Sequence, residues 1–321
     1  MDNGEHGNGH QHACTGATVR SKAIGVLASS ALVLLAVNAY AQLGAIGGIA
    51  SIQGKKQTTF PLFTLTAKTG RADILDAGFY LYYAQADRYM GKDIYTVFSG
   101  NPRERLVYKI FNVSYNLTSD MNLSLSIPYV SYDWGQIITG PTNLSGTFGI
   151  VRSGGGLSNP AVRFMYQFLS SPMLAVYGTV YLPTGFMQVG SEGTDLELDV
   201  AYTRDIGIVQ WDSNVGYRLT GKLPSTDVKP NDIIIANTAF SIPFGLSLSG
   251  FFELNLMDAG QLTDLGIDYT VQQLKIDLVP GIRLSVMPNL FLTMALKYSA
   301  YNTFQLGYHY IYTLGLDYLV L

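Results

Sequence analysis

Thiols and imidazoles are nearly missing from this chain of 321 residues. The one cysteine, Cys14, and three of the four histidines lie among the first 14 residues, which leaves His309 as the last imidazole. Disulfide frameworks and cysteine-based metal sites are therefore excluded downstream. Any nucleophile–base pair would have to use His309, and no serine in a nucleophile-type motif lies near it. The sequence predicts no enzyme, no cofactor and no metal site.

Charge is scarce as well. Only 13% of the residues are charged and the net charge is −3, whereas 48% are hydrophobic and 12% aromatic. Without a basic stripe the chain has no electrostatic footprint for a nucleic-acid partner. It is also too apolar to be disordered. The triple glycine at 154–156 does not precede a helix pattern, so a phosphate-binding loop is not indicated.

Long apolar runs are absent, with one exception near the amino terminus. Ala23–Val37 is uninterrupted by charge, follows Arg20 and Lys22, and leads to Ala39-Tyr40-Ala41, a small-x-small cleavage pattern. A spanning helix needs about 20 such residues, more than this run supplies. Residues 1–41 are therefore predicted to be a cleaved signal peptide. A transmembrane anchor is the alternative interpretation.

The rest of the chain is dominated by alternation with a period of two residues. Between 194 and 206, for example, Leu196, Leu198 and Val200 alternate with Glu197 and Asp199. Such a pattern is typical of a strand that has different surroundings on its two faces. Twelve segments show it, at 77–90, 105–117, 121–133, 159–169, 173–185, 194–206, 208–220, 232–243, 246–258, 270–286, 290–301 and 304–320.

These segments are long enough to cross a membrane, because about 9–11 tilted residues suffice. Strands of soluble proteins average nearer 5–6 residues. Since lipid offers no partners to backbone groups, only a closed barrel can satisfy strands there. The sequence thus predicts an all-β fold, a transmembrane antiparallel β-barrel of about 12 strands over residues 77–321. A soluble β-sandwich is the alternative, but it would carry shorter strands and more surface charge.

The connections predict how the barrel is oriented. Short turns at 118–120, 170–172, 207, 243–245 and 287–289 alternate with longer polar loops at 91–104, 134–158, 186–193, 221–231 and 259–269. In bacterial outer-membrane barrels the short turns are periplasmic. An even strand number then places both termini in the periplasm of a Gram-negative-type cell. Residues 42–76 do not fit a barrel strand and are predicted either to lie in the periplasm or to fold into the lumen as a plug.

Several short motifs resemble those of a known family. They are Gly154–Pro160 followed by Ala-Val-Arg-Phe-Met-Tyr, Val180–Gly185, Gly193-Thr194-Asp195, Asn214–Tyr217 and Phe252–Asn255. Their order over roughly 105–321 resembles the family of outer-membrane transporters labelled for the meta pathway of phenol degradation. That resemblance implies import of hydrophobic or aromatic compounds and no enzymatic activity. The chain departs from the family in having Ser158-Asn159 before Pro160, where Gly-Asp is usual.

The polar faces of the strands give the candidate solute-binding residues. If alternate side chains point inward, charged and amide groups line the lumen and select solutes by charge or hydrogen bonding. The alternative is that opposite charges pair across the lumen and only fill it. The candidates are Arg163, Glu197, Asp199, Asp212, Arg218, Glu253, Asn255, Arg283, Lys297 and His309. Glu253 and Asn255 rank first because they lie in the family-like Glu-Leu-Asn. Tyr177, Tyr181, Phe251 and Phe291 are predicted to form an inward aromatic track, or to pack against a plug.

Taken together, these features predict a monomeric outer-membrane channel for small, hydrophobic or aromatic solutes. Its expected partners are outer-membrane lipid, lipopolysaccharide, the barrel-assembly machinery and the solute. Two alternatives remain open. One is a barrel hydrolase acting on lipids through His309, and the other is a structural or adhesive barrel without transport.

Overall fold

The computed structural model describes residues 62–70, 72–86, 103–139, 147–184, 193–222, 231–244, 247–259, 262–264, 267–269, 274–303 and 310–320. Every regular element in these ranges is a β-strand. No helix in the described part of the chain has the length and apolarity to cross a membrane. The predicted signal peptide and His309 lie outside the described residues.

All of the described strands are antiparallel, and thirteen of the fifteen close into one barrel. They are β1 (Leu75–Ala86), β2 (Arg103–Asn116), β3 (Met121–Thr139), β4 (Thr147–Leu157), β5 (Ala161–Ser170), β6 (Met173–Tyr181), β7 (Asp195–Ile206), β8 (Val209–Leu219), β9 (Ile233–Pro243), β10 (Leu248–Asp258), the small hairpin β11 (Leu262–Asp264) and β12 (Ile267–Tyr269), β13 (Leu274–Met287), β14 (Leu290–Asn302) and β15 (Tyr310–Val320). The hairpin of β11 and β12 is a separate sheet. In the barrel the pairing follows the chain order, except that β3 pairs with both β4 and β5 and that β10 pairs with β13. Strand β1 pairs with β15 to complete the ring.

The barrel wall has 12 strand positions, which we call staves, because β4 and β5 follow one another along the same position. The C-terminal part of β3, from Tyr129 onward, pairs with β4, and the first pair is Tyr129↔Leu157. The N-terminal part of β3, up to Ser126, pairs with β5, and its last pair is Ser126↔Ala161. The register shifts by one residue across Ser158–Pro160, where proline has no N–H to give to a ladder. This is a β-bulge within one continuous stave.

The interpretation of 134–158 as a loop was therefore wrong. Strand β3 continues to Thr139, and β4 begins at Thr147 and contains the three glycines. Glycines carry no side chain to show alternation and are depleted in strands, which hid this segment in the sequence. Gly155 lies so close to Val130 that an added Cβ would be 2.8 Å from the backbone oxygen of Val130.

The predicted alternation of side chains is confirmed. On β7, Leu196, Leu198 and Val200 are exposed at 48%, 70% and 52%, whereas Glu197 and Asp199 are buried. The exposed row continues around the barrel as an apolar band. Exposure of this much apolar surface costs free energy in water but not in lipid, so the outer face matches a bilayer.

Aromatic side chains cluster near both ends of the staves, as expected for interfacial girdles. Near one end, the indole of Trp211 packs against Tyr202 and Phe240, with ring centroids 5.2 and 6.3 Å away. Near the other, Tyr298 packs against Tyr310 at 5.4 Å. The end that carries the Trp211 cluster has the short connections 117–120, 171–172, 207–208, 244–247 and 288–289, and we name it the turn end. The opposite end is the loop end.

The turn after β7 shows why these connections can be so short. Ile206 pairs directly with Val209, which leaves a two-residue loop at 207–208. Gly207 adopts a φ of +61°, which L side chains rarely tolerate. Glycine at the first central position is the requirement of a type II′ hairpin turn, whose twist matches that of the flanking strands.

Candidate functional site

The inside of the barrel holds nearly all of the predicted site residues. Their side chains are buried and lie on strands β5, β7, β8, β10, β13 and β14; they are Arg163, Glu197, Asp199, Asp212, Arg218, Glu253, Asn255, Arg283 and Lys297. The four inward aromatic residues, Tyr177, Tyr181, Phe251 and Phe291, are also buried. The structure groups the charged residues into separate clusters instead of spreading them along the lumen.

One cluster joins four neighbouring strands, β5 to β8, around Glu197. Arg218 donates from Nη2 and Nε to Glu197 at 2.5 and 2.6 Å, and Arg163 lies 3.8 Å from the same carboxylate. The Tyr181 hydroxyl donates to Glu197 at 3.0 Å, and the Arg218 guanidinium lies 4.3 Å from the centre of the Tyr181 ring. Two cations thus share the Glu197 carboxylate, and the buried carboxylate of Asp199 lies on the same face of β7.

A second cluster lies on β13 and β14. The carboxylate of Asp277 is 3.0 Å from Lys297 and 3.5 Å from Lys275. A third pair, Arg283 and Asp317, joins β13 to β15 at 2.9 Å. Most of the charged candidates therefore pair within the wall, as the space-filling alternative predicted. Pairing of this kind makes removal of one partner costly, since it leaves a buried charge uncompensated.

The lumen also contains a stretch of the chain that precedes the barrel. Residues 62–70, which we name the lumen segment, are buried, most of them at 6% exposure or less. Glu253 on β10 holds its first part: the backbone N–H groups of Leu62, Phe63 and Thr64 all donate to this carboxylate, those of Phe63 and Thr64 at 2.9 and 2.8 Å. The Thr64 hydroxyl adds a further bond at 3.0 Å.

Further bonds follow the segment toward the turn end. The N–H of Leu65 donates to Asn214 at 3.0 Å, and that of Ala67 donates to Thr203 at 2.7 Å. The ammonium of Lys68 then reaches Asp205 at 2.7 Å and Gln210 at 2.8 Å, beside the β7–β8 turn. The lumen segment is thus attached by hydrogen bonds and one ion pair, and its apolar side chains pack against the wall. Water or a bound solute can take over hydrogen bonds of this kind.

One sector of the inner wall is apolar. It packs against Leu62 and Phe63 of the lumen segment and comprises Tyr80, Tyr82, Ala84, Leu106, Tyr108, Ile110, Val130, Phe251, Val279 and Ile311. Two of its aromatic rings cover glycines on the neighbouring strand: Phe251 lies over Gly281 and Tyr80 over Gly315, the residues directly paired with them. Any Cβ at these glycines would collide with the rings, so the sequence leaves the space open for them.

Between the lumen segment and the wall lies a cavity of about 50 Å³. Phe63 and Leu65 form one side of it, and Asn214, Asn237, Asn255 and Met257 form part of the other. The Arg163–Glu197–Arg218 and Lys297–Asp277 clusters border it. Since an apolar cavity of roughly 150 Å³ binds benzene, this cavity is too small for an aromatic solute while the segment stays in place.

The sequence left open whether residues 42–76 lie in the periplasm or fold into the lumen as a plug, and it did not show which wall residues hold the lumen segment. Its interactions come from backbone N–H groups, which every residue has, and its partners lie up to 191 positions away in the chain. A weak signal existed in Thr64, Thr66 and Lys68, which alternate with apolar neighbours. Among the described residues, no group of three or more His, Cys, Asp or Glu side chains is arranged to hold a metal ion.

Solved structures of several outer-membrane proteins are similar to this chain. An outer membrane channel from Pseudomonas putida F1 has a TM-score of 0.60 at 12% identity, covering 79% of this chain and 98% of that one. The NanC porin has a TM-score of 0.47 at 10% identity (76% and 98% covered), and the P. putida toluene transporter TodX has 0.42 at 8% (77% and 89% covered). The first of these likenesses establishes the outer-membrane barrel fold.

Sequence comparison adds the family. No curated protein sequence matches the chain. The sequence profile described as "Putative MetA-pathway of phenol degradation" matches residues 104–314, well over half of the 321 residues. This match extends from the start of β2 into β15 and so covers nearly the whole barrel. The chain belongs to this family of outer-membrane barrel proteins.

Proposed function

We propose that this protein is an outer-membrane channel that takes up small aromatic or otherwise hydrophobic solutes. The observation that carries the proposal is a closed barrel of 12 staves whose lumen contains the lumen segment, residues 62–70. Hydrogen bonds from wall residues such as Glu253, which a solute or water can take over, hold this segment in place. The family profile, with its reference to phenol degradation, supports an aromatic solute. The apolar sector beside the paired charges offers such a solute a surface to follow through the lumen.

The proposal includes the setting of the barrel. The protein is exported by a signal peptide, inserted by the barrel-assembly machinery and surrounded by lipid and lipopolysaccharide as a monomer. The turn end faces the periplasm, where both termini lie. Solutes bind along the lumen at the charged and amide residues, with Glu253 and Asn255 foremost, and no chemical reaction is catalysed.

Conductance and uptake together test this function. Purified protein in planar bilayers should show small, fluctuating conductance, because the lumen segment must move before ions pass. A Gram-negative strain that expresses the protein should take up a radiolabelled aromatic solute faster than the same strain with the empty vector. Absence of both signals, with lipase activity that disappears in His309→Ala, would replace the channel by a hydrolase.

A barrel without transport is the second candidate, and one observation favours it. The cavity between the lumen segment and the wall measures only about 50 Å³, which is too small for an aromatic solute. Folded protein that gives no conductance and no uptake, even when the lumen segment is deleted, would establish this structural role. Conductance that rises on the deletion would instead support the channel.

A further inference from the structure

The side chain of Phe63 occupies an aromatic site in the middle of the lumen. The ammonium nitrogen of Lys297 lies 4.3 Å from the centre of the Phe63 ring, and the Tyr82 ring lies 5.9 Å away at 48°. A cation over the ring face and a tilted ring beside it are the two arrangements that attract an aromatic group most specifically. A phenylalanine side chain is a benzyl group, so the site already holds a ring of the size of toluene.

The apolar sector connects this site with the loop end. Ala84 and Ile311 lie near the loop ends of β1 and β15, and Leu106 lies near that of β2. Tyr82 and Tyr108 come one step deeper on the same strands, and Phe63 packs below them. An apolar solute that enters at the loop end can therefore keep in contact with apolar wall until it meets Phe63.

A polar group without a partner lies next to the ring site. Asn214, Asn237 and Asn255 stand side by side on β8, β9 and β10 as directly paired residues. Asn237 donates to Asn214 at 3.3 Å, but within the described ranges neither the oxygen nor the nitrogen of the Asn255 amide has a hydrogen-bond partner. Asn255 is only 7% exposed and lines the cavity that Phe63 also lines. Because buried amides almost always find partners, this one is suited to a ligand that can donate and accept.

The cavity alone is too small for such a ligand. About 50 Å³ holds little more than water, whereas a benzene-sized guest needs roughly three times that volume. Removal of the Phe63 ring would add the volume of a benzyl group and join it to the space in front of Asn255. The position of the ring and the position of the polar substituent would then form one continuous site.

We propose that Phe63 fills, from within the chain, the ring-binding position of the solute path, and that the transported solute replaces it. The solute is a monocyclic aromatic compound with one hydroxyl or amino substituent. Its ring lies under Lys297 against Tyr82, and its substituent bonds to the amide of Asn255. This inference rests on the proposed channel function and names the solute class and the residue that selects it. Because Phe63 is tethered through Glu253, it competes at high effective concentration, and solute binding to the intact protein is weak.

Fluorine NMR on the purified full chain in detergent can test this assignment, with 4-fluorophenol and fluorobenzene as probes. In Phe63→Ala, which keeps the backbone bonds to Glu253, both probes should bind about tenfold or more tightly than in the unchanged protein. Adding Asn255→Leu to Phe63→Ala should weaken 4-fluorophenol by roughly 3- to 10-fold and leave fluorobenzene unaffected. Asn112→Leu is the matched control, because Asn112 is also a buried inward amide with both atoms unpartnered but does not line the cavity.

The outcomes separate this inference from the channel function itself. Folding of each variant is checked by its shifted migration on unheated gels. If Phe63→Ala leaves both affinities unchanged, or Asn255→Leu weakens both probes equally, the assignment is wrong even where conductance and uptake persist. If the expected pattern of affinities appears in a protein that neither conducts ions nor takes up solute, the aromatic site is supported and the proposed channel function is wrong.

Discussion

Glu253 makes more hydrogen bonds to the lumen segment than any other wall residue in the described chain, and its replacement by glutamine tests whether the segment closes the channel. Its carboxylate receives the backbone N–H groups of Leu62, Phe63 and Thr64 together with the Thr64 hydroxyl. Glutamine has almost the same shape but only one acceptor oxygen. Its NH₂ group would face backbone N–H groups, which are donors as well.

The size of the effect can be worked out from these bonds. A hydrogen bond to a charged group contributes about 1.5–3 kcal/mol net, and about two of the four would be lost. The expected weakening of segment docking is therefore on the order of 3 kcal/mol, which is a shift of roughly a hundredfold toward the released state. The wall of the barrel keeps its strand pairing, because Glu253 makes these bonds with its side chain.

Single-channel recording in planar bilayers is the appropriate assay. Glu253→Gln should spend a far larger fraction of time in a conducting state than the unchanged protein. Asp317→Asn is the control, since Asp317 is equally buried but bonds to Arg283 and Tyr80 in the wall. Folded Glu253→Gln protein with the conductance of the unchanged protein would refute the reasoning, and the lumen would then be closed by something other than this segment.

Three further changes probe the barrel. Leu198→Lys places a cation on the most exposed part of the lipid face and should prevent assembly, at a cost of about 2–4 kcal/mol, whereas Leu198→Met should assemble normally on unheated gels. Glu197→Gln leaves Arg163 and Arg218 without their shared carboxylate and should lower the free energy of unfolding in urea by about 3–5 kcal/mol. Gly281→Val should cost about 1–3 kcal/mol in the same assay because its side chain meets the Phe251 ring, and Phe251→Leu in the same chain should recover most of the loss.

The faces of the strands could be predicted from the sequence because side-chain direction in a strand depends only on parity. Once Leu198 and Val200 are assigned to lipid, Glu197 and Asp199 must point inward, whatever the rest of the barrel does. The structure confirms this for every charged candidate in the described residues. Strand β4 was not predicted, because its three glycines have no side chains that could show the alternation.

Pairing between strands could not be predicted, because it depends on register. Glu197 meets Arg218 directly across β7–β8, but reaches Arg163 over the intervening stave β6. That contact depends on the lengths of both side chains and on the tilt of three strands. A charge list read from the sequence therefore predicts which side chains point inward, but it leaves open whether the charges select solutes or pair with one another.

The lumen segment could not be placed from the sequence, and its contacts show that Glu253 differs from the other charged residues of the lumen. Arg163, Arg218, Arg283 and Lys297 each have a carboxylate beside them, so a neutral solute meets little unbalanced field in the wall. Glu253 differs, because the hydrogen bonds found for it come from the lumen segment. A carboxylate buried in the barrel without those N–H groups would be costly. In the proposed channel the solute therefore competes with the chain's own lumen segment, and selectivity depends on what that segment can be exchanged for as much as on what the wall attracts.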